Sequence, residues 1–119
     1  MAQVALNKFR TIRYNLTTSN VGIYTCPIGV SCIVVLAQVT NISEGVGRSS
    51  YTVTSYHSRP SETPTDYKFA YKVPIPPNDS YNLVSDGRLV LETNDILKIS
   101  SNGDNVLSIV LSILETAKQ

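Results

Sequence analysis

The sequence predicts an all-β chain, an antiparallel β-sandwich of jelly-roll-like type with about eight to nine strands, and three observations carry that expectation. Short runs of alternating apolar and polar residues recur with Asn, Asp, Gly, Ser or Pro between them about every 8 to 12 residues. No stretch shows the 3.6-residue period of an amphipathic helix, and there is no tryptophan. The closing stretch sets Leu107, Ile109, Leu111 and Ile113 against Ser108, Val110, Ser112 and Leu114, which is the pattern of one long, half-buried strand.

At 119 residues and 13.0 kDa the chain suits a single domain that can bury a core without disulfide staples. We take residues 1–119 as that domain, with residues 1–8 as an N-terminal arm or first edge strand. Only 16% of the residues are charged and the net charge is +1, the difference being made up by Ser, Thr and Asn. Such a balance lacks the clustered basic charge that nucleic acid demands. Residues 1–10 lack the apolar core of a secretory signal, and the longest apolar run, residues 33–37, is far too short to cross a bilayer. A soluble chain made in the cytosol is expected, with no membrane partner. Cys26 and Cys32 are then buried reduced thiols, and the sequons at Asn15, Asn41 and Asn78 arise by chance in an Asn/Ser/Thr-rich chain.

In chain order, Phe9, Ile12, Tyr14 and Leu16 favour a strand. Residues 21–25 form a second one, turned by Pro27-Ile28-Gly29. Residues 30–40 are apolar on both faces through residues 33–37, the mark of a central strand covered on both sides. A polar loop follows, then a strand near an edge at residues 51–56. Residues 57–66, with two prolines, form a surface loop. Residues 67–75 alternate an aromatic face (Tyr67, Phe69, Tyr71) with a basic one (Lys68, Lys72), and Pro74, Pro76 and Pro77 confine this strand to a sheet edge. Residues 81–84 and 89–91 are expected to pair as a hairpin through Asp86-Gly87. A corner at Asn94-Asp95, a strand at residues 96–100 and a turn at residues 101–105 lead into the closing strand.

No catalytic constellation emerges. His57 is the single histidine and sits at the start of the polar loop, where a solvated side chain is expected. Gly45-Val46-Gly47 lacks the third glycine, the lysine and the helix of a phosphate loop, and two Cys with one distant His make no closed zinc site. Asp79, Asp86, Glu92, Asp95 and Asp104 fall at turns or strand ends; Asx turns explain them more simply than a calcium site. Neither a cofactor nor a metal is expected. Seven of the nine aromatics are tyrosine, which either roofs one sheet or faces partners. The candidate interface is Tyr56, His57, Arg59, Tyr67, Lys68, Tyr71 and Lys72, the protruding loop and the outer strand beside it.

The segments Ile23-Tyr24-Thr25-Cys26-Pro27-Ile28-Gly29-Val30, Pro74-Ile75-Pro76 with Asp79-Ser80, Leu89-Val90-Leu91-Glu92 with Asp95, Leu97-Lys98-Ile99 and Leu111-Ser112-Ile113-Leu114-Glu115 occur in that order. This order resembles small virion structural proteins of tailed bacteriophages, over residues 21–116. The resemblance implies a β-sandwich subunit without enzymatic residues. It implies assembly with copies of itself and other virion proteins, in the tail, neck or baseplate or as a capsid decoration. A carbohydrate-binding β-sandwich is the alternative, with tyrosines as the sugar platform and the acidic turns as a calcium site.

Overall fold

The computed structural model describes residues 7–44, 49–85 and 87–117. Nine strands follow one another among them: β1 (Asn7–Asn15), β2 (Val21–Thr25), β3 (Val30–Asn41), β4 (Tyr51–Ser58), β5 (Asp66–Ile75), β6 (Ser80–Asn82), β7 (Leu89–Leu91), β8 (Ile96–Ser101) and β9 (Leu107–Ala117). They form two antiparallel sheets, β1-β9-β3 with β6 and β7 on the far side of β3, and β2-β8-β4-β5. The β-sandwich expected from the sequence is the fold found.

The closing strand organises the first sheet. β9 pairs with β1 on one side and with β3 on the other along nearly its whole length, and its alternation is the predicted one. Leu107, Ile109, Leu111 and Ile113 point into the core, where Val34, Ala37 and Val39 from β3 meet Val53, Leu97 and Ile99 from the second sheet. Each Val, Leu or Ile among them removed from water contributes about 1.5–3 kcal/mol, which offsets the entropy of ordering the chain.

Asparagines turn several corners. Asn78, Asn94 and Asn105 hold φ of 64°, 71° and 59°, the left-handed region that Asn tolerates better than most residues. Gly29, in the turn between β2 and β3, has φ of 80° and needs no side-chain accommodation at all.

Several expectations are corrected. β6 and β7 do not pair with each other: both run antiparallel to β3, Tyr81 opposite Val39 and Val90 opposite Ile33, so they lie end to end along one edge. Asn82 makes the break, its side-chain oxygen accepting from the backbone N–H of Ala37 and of Val84. Asp86, in the expected hairpin turn, lies outside the described residues, as do Gly45, Val46 and Gly47 and residues 1–6 of the expected arm. Asn7 and Lys8 belong to β1, opposite Thr116 and Glu115. β4 is an interior strand, flanked by β8 and β5. The loop is shorter than expected, because β4 continues to Ser58 and β5 begins at Asp66. Finally, β3 is covered on one face only. A bulge between Val34 and Leu36 keeps Cys32, Val34, Ala37 and Val39 inward, while Ile33, Val35 and Leu36 stay half-exposed on the outside.

Candidate functional site

The outer edge of the second sheet is β5, as its prolines predict. Its alternation does not survive. Against β4 the register shifts twice, Val53 facing Val73, Ser55 facing Ala70 and Tyr56 facing Lys68, so β5 carries an extra residue at each step. Phe69 and Ala70 therefore both tuck partly inward, whereas Tyr71 and Lys72 both face solvent. Lys72 adopts φ of 48°, and its N–H is taken up by the Thr54 hydroxyl.

These bulges assemble what the sequence had divided between two faces. The Lys68 ammonium lies 5.5 Å from the centre of the Tyr56 ring and 5.2 Å from that of Tyr71. The Lys72 ammonium approaches the same Tyr71 ring at 5.2 Å. Tyr56, Lys68, Tyr71 and Lys72 thus form a ladder of alternating rings and cations, each contact contributing about 0.5–1 kcal/mol at an exposed site. Among the described residues neither lysine has a carboxylate partner. Tyr67 and Tyr71 nevertheless remain 62% and 57% exposed, large amphipathic surfaces open to solvent.

His57 and Arg59 belong to a second arrangement, at the root of the loop of residues 59–65. The carboxylate of Asp95 is only 1% exposed. It accepts Arg59 Nε and Nη2, each at 2.8 Å, the Glu92 backbone N–H at 2.9 Å, and His57 Nε2 at 2.9 Å. These donors, Arg59 foremost, hold Asp95 down to about 2 against the opposing effect of burial. Since a carboxylate only accepts, Nε2 is the ring nitrogen of His57 that carries the hydrogen. Arg59 also reaches Glu92 at 2.8 Å and Glu62 at 3.4 Å, and its N–H bonds the Thr65 carbonyl. The expectation of a solvated loop histidine is therefore corrected: His57 lies in β4 with its ring anchored to the corner before β8, the neighbouring strand of the same sheet. The sequence carries no sign of this network, because Asp95 lies 36 residues from Arg59 and reads locally as a turn former.

The remaining acidic residues are dispersed. Asp79 accepts the Ser80 N–H and Asp104 the Thr18 N–H. Glu115 is buried at the other end of β9, accepting the Tyr24 hydroxyl and the more distant Arg10 Nε at 3.4 Å. The Tyr24 oxygen lies 3.2 Å from Cys32 Sγ, which lies 2.8 Å from Cys26 Sγ. Both cysteines are buried free thiols. Burial, followed by the Cys32 contact, pushes the Cys26 thiol up to about 12, and the Tyr24 phenol is raised by the same burial. Neither ionises at neutral pH, so Cys26 offers no thiolate nucleophile. Asn41 is also consumed internally, its amide donating to the Ile75 and Ser49 carbonyls while its oxygen accepts from Ser43.

No protein-family model matches this sequence, and no curated protein matches it. Two solved structures are similar in fold. One is a chain of the acidic-stable capsid of Helicobacter pylori bacteriophage KHP30, with 13% identity, a TM-score of 0.58 and coverage of 97% of this chain and 90% of that chain. The other comes from Bacillus endospore appendages, described as a family of disulfide-linked pili, with 11% identity, a TM-score of 0.55 and coverage of 100% and 98%. At these identities the similarity establishes a shared fold, that of a small β-sandwich found in a phage capsid and in a pilus.

Proposed function

We propose that this chain is a non-enzymatic structural subunit of a tailed-phage virion. It assembles through protein–protein contacts on the tail, neck or baseplate or as a capsid decoration, alongside copies of itself and other virion proteins. The observation that carries the reading is the Tyr56-Lys68-Tyr71-Lys72 ladder on the open edge strand β5. Rigid tyrosines bury much area at little entropic cost and lysines mark a wetter rim, the composition of a contact surface. The adjoining loop is already fixed by Arg59, so docking would not have to order it. Similarity in fold to chains of two assembled structures supports the same reading, as does the use of the sole histidine to hold Asp95.

The test is the Tyr67→Ser, Tyr71→Ser double variant, followed by solution mass and incorporation into particles. Both rings are exposed, so the variant should stay folded, losing about 1–2 kcal/mol with the two Tyr71 ring–cation contacts, and fail to assemble at wild-type stoichiometry. Unchanged assembly would remove β5 from the interface. Saturable binding of a defined glycan by the isolated chain, lost in the same variant, would replace assembly with carbohydrate recognition.

A further inference from the structure

We infer that the outer face of the β1-β9-β3 sheet is a second contact surface, which packs face to face against another copy of this chain about a two-fold axis. This rests on the reading of the chain as a self-assembling subunit, but uses a surface on the opposite side from β5.

Four strands bring one apolar row together. Phe9 pairs with Leu114, Leu114 with Ile33, and Ile33 with Val90, all on the outward face. Phe9 is 75% and Val90 54% exposed, while Leu114 and Ile33 between them are half-exposed. Leu36 in β3 and Val110 in β9 extend the row along the strands. β3 carries the sequence of a strand covered on both faces, and one chain covers only the inner one. An apolar row crossing a whole sheet is the kind of exposed patch that marks a contact site.

Charge selects the occupant. Among the outward residues of β1, β9 and β3, only Arg13 is charged; the others are apolar or are Asn, Gln, Ser or Thr. The outer face of the other sheet carries Lys68, Lys72, Lys98 and Asp66. A nearly neutral face can meet its own copy without like charges colliding, and it offers a charged partner nothing to pair with. An axis parallel to the strands, between β9 and β3, superposes the row on itself in reverse. Phe9 then lies over Val90 of the second copy and Leu114 over its Ile33, the bulky end against the small one. The same axis lays Arg13 over Asn82 of the second copy, because Arg13, Val110, Gln38 and Asn82 occupy one row. The two Arg13 side chains stay apart.

The area suffices. Four strand positions at about 4.8 Å and about nine residues at about 3.4 Å give a flat face of about 600 Å². The pleat and side chains raise the accessible area toward the roughly 800 Å² per partner of a specific interface.

Two variants test the surface. In Phe9→Lys, Val90→Lys both positions are exposed, so the fold should persist by circular dichroism and melting. The solution mass should fall at least twofold, and Tyr67→Ser, Tyr71→Ser should instead leave a dimer near twice 13.0 kDa. In Phe9→Cys, Val90→Cys the two positions lie three strand spacings apart within one chain, roughly 14 Å, whereas facing positions of two packed sheets lie about 10 Å apart, with their side chains pointing at each other. A short bismaleimide spanning about 8 Å should therefore yield a covalent dimer between copies and no bridge within one chain. A monomeric wild type, an unchanged mass in the lysine variant, or failure of the cysteine variant to cross-link would overturn the inference. If the lysine variant keeps wild-type mass while the tyrosine variant disassembles, this surface fails and the β5 reading stands. If the tyrosine variant still assembles while the lysine variant falls apart, the reverse holds.

Discussion

Arg59 closes on the carboxylate of Asp95 as a fork on a fork, Nε meeting Oδ1 and Nη2 meeting Oδ2, each at 2.8 Å. The pair ties the loop after β4 to the corner before β8, and His57 braces it from within β4. Removing the carboxylate leaves the Glu92 N–H and the His57 ring without their acceptor while Arg59 keeps Glu92 and Glu62, so Asp95→Ala should lose about 2–3 kcal/mol in urea unfolding. His57→Ala removes one hydrogen bond to a buried carboxylate and should lose about 1.5–3 kcal/mol. A loss below about 0.5 kcal/mol for His57→Ala would return that side chain to the solvated loop.

The same carboxylate sets an acid limb. The ordinary value for Asp95 is 3.8 and the folded value about 2, a difference that corresponds to about 2 kcal/mol. Because the folded state holds the proton less tightly, this contribution is fully present above pH about 4. It shrinks as the pH falls toward about 2 and is gone below that. Unfolding free energy should therefore drop across this window, and the drop should be smaller by about 2 kcal/mol in an Asp95→Asn background. Equal acid limbs in the two proteins would contradict the assignment.

The thiols make an independent test, at alkaline pH. Cys26 is held up to about 12 and is fully buried, so its thiolate at pH 8 is about a thousandfold scarcer than in an unfolded chain. Native protein should react with a thiol reagent only at the rate of unfolding, and both cysteines should react at once in denaturant. The folded state binds the proton more tightly here, so stability should decline as pH rises from about 9 toward about 12. Fast labelling of the native protein at pH 8 would show that the cluster of Tyr24, Cys26, Cys32 and Glu115 is open.

Much of the fold was legible because three strands announce themselves locally, β9 through period-two alternation, β3 through its apolar run and the edge strand β5 through its prolines. What was not legible depends on register. The bulges in β5 bring Tyr71 between Lys68 and Lys72, and no count of alternating residues reveals an extra residue before the partner strand is known. The Asp86-Gly87 turn signal misled for a related reason. A hairpin needs its second strand to reverse direction, but β3 offers a long unpaired edge along which residues 80–82 and 89–91 both dock in one direction. The Asp95 network stayed hidden because its members come from β4, the loop and a corner, with nothing in their spacing to join them.

The alternation of β9 yields the sharpest contrast between neighbouring positions. Ile109 is 1% exposed in the core, whereas Val110, the next residue, is 40% exposed on the outer face. A carboxylate at the first position is buried without a partner and costs several kcal/mol, on the order of the whole stability of a small domain. At the second it stays in water and costs the folded monomer about 0.5 kcal/mol or less. Ile109→Asp should therefore be largely unfolded by circular dichroism at 25 °C, while Val110→Asp should give the wild-type spectrum and a melting temperature within a few degrees. Val110→Asp should also weaken self-association, since it places charge on the neutral outer face. If both variants were equally folded, β9 would not alternate between core and surface, and the register on which both sheets are built would be wrong.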